Sequence, residues 1–229
     1  KKVMVIAAHP DDDILGCGGT LNKLKRQGVN VRVVFIAEGT TCRFANPEVW
    51  DQKAVNKEIE HRNNCGIKAL QKLGVHDYIF YNLPCGRLDQ EPIIKIGKII
   101  ENEIKQYSPN VIFTHSKNDV NMDHQVVYQA TLQATRPGAL NSVETLLTYE
   151  VLSSSEWNFS DPFAPNFFIK ISKKDVDKKV EAMSLYNTEI KPSPFPRCEK
   201  MIRMKCNVRG SQIGVENAEA FTLVRGLVQ

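Results

Sequence analysis

Residues 1–21 read KKVMVIAAHPDDDILGCGGTL, and the fold follows from how this stretch divides. Lys1 to Ala8 is a short apolar run, β-branched at Val3, Val5 and Ile6 and without polar alternation, which predicts a buried strand. A helix is predicted to start near Gly18 and to run through Leu21, Leu24 and Lys25. Between them lie His9, Pro10 and three consecutive carboxylates, Asp11, Asp12 and Asp13. Adjacent anions at the carboxyl end of a buried strand repel one another and need a cation, backbone N–H donors, or both. His9 and Asp12 are ligand types that suit a divalent metal such as zinc. A polar turn capping a helix uses the same residue types, so this segment alone leaves both readings open.

Outward from this stretch, strands and helices alternate. Val29–Ala37 predicts a second strand, ending in polar Glu38, Gly39, Thr40 and Thr41. Cys42–Asp51 reads as an irregular loop and Lys53–Leu73 as a long helix stopped by Gly74. Tyr78–Leu83 predicts a third strand, Pro92–Tyr107 a helix on Ile93, Ile96, Ile100 and Ile104, and Asn110–Thr114 a fourth strand. This order predicts a parallel sheet with right-handed crossovers and helices on both faces. The fourth strand runs into His115 and a polar segment that reaches His124, followed by a helix at Gln125–Ala134. Strands are then expected at Thr145–Leu152 and Asn166–Ile171, and helices at Lys174–Tyr186 and Glu199–Arg209. Lys191–Pro196, with three prolines, is a loop. Gly214–Leu227 holds Glu216 and Glu219 beside apolar Ala218, Ala220 and Phe221. No linker or repeat divides the chain, so residues 1–229 are read as a single domain.

Composition excludes several classes of function. Hydrophobic residues at 42% and charged residues at 24% are ordinary for a soluble protein. A net charge of +4 without a dense Lys/Arg run argues against a nucleic-acid partner. With no signal peptide and no apolar stretch long enough to span a bilayer, a cytoplasmic protein without membrane insertion is expected. Six scattered cysteines, with no C-x-x-C pair, read as reduced thiols. A homo-oligomer is compatible with all of this.

The two polar clusters gain meaning together. If strands one and four are neighbours, His9, Asp11 and Asp12 face Asp119, Asp123 and His124 across one crevice. Two histidines and a carboxylate with an open position make a catalytic zinc site. The remaining carboxylates are then candidates for a general base and for orienting a ligand histidine. Such a site hydrolyses an amide or ester without a serine nucleophile, and no G-x-S-x-G is present.

His9 to Asp13, with Ala7-Ala8 before and Gly16-Cys17-Gly18-Gly19-Thr20 after, resembles the AHPDDE signature of the LmbE-like, or PIG-L, family of zinc-dependent N-deacetylases. Asp119-Val120-Asn121-Met122-Asp123-His124 resembles its second motif. Leu83-Pro84 to Arg87-Leu88, Tyr149-Glu150-Val151 to Glu156-Trp157, and Gly214-Val215-Glu216 to Phe221 fit in the same order.

The resemblance implies a three-layer, Rossmann-like α/β fold with a mostly parallel sheet. It implies a hydrolase that removes an N-acetyl group from an amino sugar or sugar conjugate, with metal-bound water as nucleophile. His9, Asp12 and His124 would hold Zn²⁺, and the same ligands accept other divalent transition metals. Asp11 would be the general base, with Asp123 beside it in the catalytic set as a partner of a ligand histidine. Arg62, His115 and Asn121 are candidate substrate contacts. Two positions depart from the family pattern. Asp13 replaces the usual Glu, and Asn121 stands where some members carry a histidine, which passes the acid role to Asp11 or His115.

Three rival readings exist. Gly16, Gly18 and Gly19 suggest a dinucleotide-binding turn, but the spacing is not G-x-G-x-x-G and the upstream carboxylates repel phosphate. The others are an amidase of a thiol–sugar conjugate and a non-catalytic, metal-containing sugar-binding protein.

Overall fold

A computed structural model describes residues 1–44, 51–138 and 142–227. Its core is a seven-stranded sheet around the opening apolar run. In chain order the elements are β1 (Lys2–Ala7), α1 (Asp12–Arg26), β2 (Asn30–Ala37), α2 (Gln52–Lys72), β3 (Asp77–Leu83), α3 (Ile93–Tyr107) and β4 (Val111–His115). They continue as α4 (Met122–Ala134), β5 (Thr145–Tyr149), β6 (Phe167–Lys170), α5 (Lys173–Met183), α6 (Glu199–Ser211) and β7 (Ala218–Gly226). Of the expected loop at Cys42–Asp51, Thr41–Arg43 forms a short 3₁₀ turn and residues 45–50 lie outside the described residues.

The strand order is β3-β2-β1-β4-β5-β7-β6. Val5 pairs with Val33 on one side and with Phe113 on the other, all parallel. The chain moves outward through β2 and β3, then returns to add β4 on the opposite side of β1. The carboxyl ends of β1 and β4 therefore flank the switch point, where open α/β sheets bind ligands. The sheet is mostly parallel; β7 runs antiparallel to both of its neighbours, β5 and β6. Gly214–Leu227 thus supplies a strand that the sequence reading did not assign.

Alternation along β1 sends side chains into two cores. Val3, Val5 and Ala7 pack with Ile14, Leu21, Leu70, Met183, Tyr186 and Ile202, which places α1, α2, α5 and α6 on one face. Met4 and Ile6 pack with Ile96, Ile100, Ile104, Val127 and Ala130, which places α3 and α4 on the other. Each buried aliphatic side chain contributes about 1.5–3 kcal/mol of transfer free energy.

Helix α1 starts earlier than expected, at Asp12, and is kinked at Cys17 (φ −143°). The predicted start near Gly18 is the second segment of this kinked helix. A carboxylate from β7 stabilises the break: Gly19 N and Thr20 N donate to Glu219 at 3.0 and 2.6 Å. Buried Lys179 neutralises that carboxylate, donating to Glu219 at 2.6 Å and to Leu15 O at 2.7 Å. Gly16 permits the close approach of β5, since a Cβ there would sit 2.6 Å from Tyr149 Cγ. These amides are occupied by protein, which removes the dinucleotide-turn reading. Helix α4 likewise starts early, at Met122, because Asn121 caps it by accepting from Asp123 N at 2.9 Å.

Candidate active site

The turn after β1 folds back on itself. His9 N donates to Asp12 Oδ2 at 2.8 Å and Asp12 N donates to His9 O at 3.2 Å. Between them Asp11 adopts φ 121°, a conformation that a residue with a Cβ rarely takes. Such strain persists where the surrounding structure over-determines it, as at functional sites.

The switch point brings three predicted ligands together. His9, Asp12 and His124 each present a donor atom, all within 4.8 Å of one another and all buried. Asp12 Oδ2 lies 3.2 Å from His9 Nδ1 and 3.3 Å from His124 Nε2. His124 Nε2 makes no hydrogen bond among the described residues despite its burial. An unsatisfied buried imidazole nitrogen beside a second imidazole and a carboxylate is a donor set that fits a divalent metal ion.

The far side of each imidazole is held by its own carboxylate. His9 Nε2 meets Asp123 Oδ2 at 2.8 Å, and Asp123 also accepts from Gly86 N (2.6 Å) and Leu88 N (3.0 Å). His124 Nδ1 lies 3.2 Å from Asp119 Oδ2. Asp119 accepts from Ser154 Oγ (2.5 Å), Ser155 Oγ (2.6 Å) and Asn121 N (2.9 Å). Carboxylates in this position fix the tautomer and orientation of ligating histidines. Asp123, expected to partner a ligand histidine, backs His9 from across the crevice. Asp119, which the sequence placed in the crevice without a role, backs His124.

The electrostatics favour a cation here. Burial opposes charge on both imidazoles, but Asp12 and Asp123 raise His9 to about 10, and Asp12 and Asp119 raise His124 to about 9. Burial also opposes charge on Asp119, yet His124 and the two serine hydroxyls hold its carboxyl at about 2. Asp13 is buried nearby and pushed up to about 8, by burial first and then by the charges of Asp11 and Asp12.

Asp11 is held by two arginines. Arg62 Nη2 and Arg197 Nη1 reach its Oδ2 at 3.0 and 2.7 Å, and both guanidiniums also pair with Glu189. Burial raises the Asp11 carboxyl and the two arginines oppose that rise. Arg62, expected to contact substrate, is buried between Asp11 and Glu189 with its guanidinium 5.2 Å above the Tyr186 ring. It also forms part of a cavity of about 300 Å³ lined by Thr40, Arg43, Phe44, His61 and Thr188, among others.

The other two candidate substrate residues, His115 and Asn121, take supporting positions around the cluster. His115 is 0% exposed. Its Nε2 accepts from Ala8 N at 2.8 Å, and its ring stacks under His124 with centroids 4.0 Å apart. Burial, then the charge of His124, keeps it neutral, well below the usual histidine range. The last residue of β4 points inward, so His115 supports the cluster from beneath. Asn121 is the cap of α4. Arg197 and Glu189 were missed as parts of the site, while Glu38 lies at the strand edge where it was read. Glu38 accepts from Thr40 N (2.5 Å), Thr41 N (3.0 Å), the Thr41 hydroxyl and Cys85 N (2.8 Å), tying the loops after β2 and β3 together. Glu189 and Arg197 flank the proline-rich loop Lys191–Pro196 after α5, and no local pattern marks them.

Residues 4–135 match the family described as PIG-L, GlcNAc-PI de-N-acetylase. This span covers more than half of the chain and contains every residue of the two histidine–aspartate clusters. The chain belongs to the PIG-L family. Among its relatives is YaiS of Escherichia coli, described as an uncharacterized deacetylase, 27% identical over 82% of this chain and 91% of that protein. The diacetylchitobiose deacetylase of Thermococcus kodakarensis is 22% identical over 99% of this chain and 84% of its own length. In fold, the N,N'-diacetylchitobiose deacetylase of Pyrococcus horikoshii superposes with a TM-score of 0.78 at 21% identity, over 99% of this chain and 84% of that one. No helix among the described residues of this PIG-L protein is long and apolar enough to cross a membrane.

Proposed function

We propose that this PIG-L protein is a zinc-dependent hydrolase that removes an N-acetyl group from a small amino sugar or sugar conjugate. The carrying observation is the buried His9–Asp12–His124 set, each histidine backed by its own carboxylate, adjoining the strained and arginine-held Asp11. The diacetylchitobiose deacetylase among its relatives supports the substrate class.

His9, Asp12 and His124 would hold the ion. When bound, zinc supplies Lewis acidity toward water and toward the amide carbonyl. The chain supplies the rest. Asp123 and Asp119 keep His9 and His124 in the tautomers that present a lone pair inward. Asp11 takes a proton from the attacking water and returns it to the leaving amine. Burial brings a carboxyl toward the working pH, where general acid–base transfer is most effective. Both arginines grip Oδ2, which leaves Oδ1 for the proton. Asn121 has no titratable group and His115 is buried and neutral, so one carboxylate serves in both directions. Amide and water become acetate and a free amine. The cavity beside Arg62 takes the remainder of the substrate.

The test is acetate release from a panel of N-acetylated amino sugars and conjugates, with Asp11→Asn as the comparison. The variant should lose roughly 10²–10⁴ in kcat while its zinc affinity stays within a few-fold of the parent. Near-normal turnover by Asp11→Asn would overturn the assignment of the base. Cleavage of thiol–sugar amides without acetate release from any acetyl sugar would move the substrate class.

A further inference from the structure

We propose a second cation site on the other side of His9, taking a thiophilic divalent ion such as Zn²⁺ on Cys85, Cys42, Asp123 and His9 Nε2. His9, Cys85 and Asp123 form a group of their own, with donor atoms within 4.8 Å of one another and all three residues buried. Cys42 Sγ lies 2.9 Å from Cys85 Sγ, and Cys42 is exposed, which gives an ion a route in.

The donors are placed in advance. Cys85 N donates to Glu38 at 2.8 Å, and the next amides along that loop, from Gly86 and Leu88, hold Asp123. Gly86 has φ +72°, and a Cβ there would sit 2.9 Å from Cys42 Cβ. Glycine therefore allows the loop after β3 and the turn after β2 to close to thiol–thiol contact. His9 presents Nδ1 toward Asp12 and Nε2 toward Asp123, so its two nitrogens serve different groups.

The chemistry of the two sets differs. The first offers two imidazoles and a carboxylate, with room for water and substrate. The second offers a sulfur, a nitrogen and an oxygen from Cys85, His9 and Asp123, with the Cys42 sulfur against Cys85 Sγ as a fourth donor beside that group. Soft thiolates select zinc or cadmium over magnesium or calcium. Binding releases the proton shared by His9 Nε2 and Asp123 and the protons of both thiols. The ion then takes the carboxylate that orients His9, so zinc beyond the first equivalent inhibits. The inhibition rests on His9 being a ligand of the first site; the binding does not.

The experiment is a Co²⁺ titration of the reduced, metal-free full chain, followed by absorption. The expected result is a second bound ion with a thiolate-to-cobalt charge-transfer band, absent in Cys85→Ser and weakened about tenfold or more in affinity in Cys42→Ser. The band should persist in Asp12→Asn, which disables the first set only. Cys42→Ser should also leave acetate release at one zinc per chain unchanged and raise the zinc concentration needed for inhibition about tenfold or more. A second ion without the band, a band that survives Cys85→Ser, or no second ion at millimolar cobalt would each overturn the proposal.

Discussion

Replacing Asp119 by Asn should weaken zinc binding about 10–100-fold while leaving the fold in place. Asp119 touches no candidate ligand atom directly, yet it fixes His124 through Nδ1 at 3.2 Å and is itself held by Ser154, Ser155 and Asn121. Its carboxyl stands at about 2 against an ordinary 3.8, because His124 and the serine hydroxyls outweigh burial. At about 1.36 kcal/mol per pH unit, these partners favour the carboxylate by roughly 2–2.5 kcal/mol, or about 60-fold in an equilibrium constant. Loss of a carboxylate behind a ligating histidine typically costs 10–100-fold in metal affinity, which agrees. Asparagine keeps the shape and can still accept from a serine hydroxyl, so cavity effects are small. The assay is competition for zinc against a chromophoric chelator at pH 7, with thermal melting of the metal-free proteins as control. Parental affinity in a variant that melts like the parent would refute the reasoning. The sign with pH follows from the lowered carboxyl. Its contribution to stability is present above about 3.8 and is lost as pH falls toward 2, so the stability gap between parent and variant should close over that window.

Three further outcomes are expected. Arg197→Ala removes one of two cations from Asp11, so the acidic limb of the kcat/KM profile should move to higher pH; an unmoved limb would remove Asp11 as the base. Gly16→Ala forces a methyl group against the buried Tyr149 ring and should cost about 1–3 kcal/mol in urea unfolding, whereas an unchanged midpoint would contradict the close approach. Glu219→Ala leaves Lys179 uncompensated in the core and exposes the α1 break, for a loss of about 3–5 kcal/mol; the exposed control Glu199→Ala should stay within about 0.5 kcal/mol, and equal effects would argue against the buried pair.

Periodic and local signals were readable in the chain. The apolar β1 run, the βα alternation and the two His/Asp motifs located the sheet, the switch point and the cluster, because each depends on residues close in sequence. The start of α1 was misplaced because Asp12–Gly16 has poor intrinsic helix preference, and the break at Cys17 is held by Glu219 and Lys179, about 200 and 160 residues away. Strand β7 was not assigned because Ala218–Gly226 mixes small and charged residues, and its state is decided by pairing with β5 and β6. His115, the last residue of β4, is buried against His124 and Asp12, a position that its place in the sequence did not distinguish from a substrate contact. Arg197 reaches Asp11, and Glu189 reaches the two arginines that hold it, only through the tertiary path of the chain around the proline-rich loop, which no spacing rule encodes.

The central claim is that His9, Asp12 and His124 hold the ion on which amide hydrolysis depends. Stripping the protein with a chelator and adding zinc back stepwise, while measuring acetate release from N-acetylated amino sugars, tests it most directly. Acetate release should vanish in the stripped protein, rise to a maximum at about one zinc per chain, and fail to return in Asp12→Asn. Full acetate release by the metal-free protein, or its recovery in Asp12→Asn at the same single equivalent, would contradict the claim.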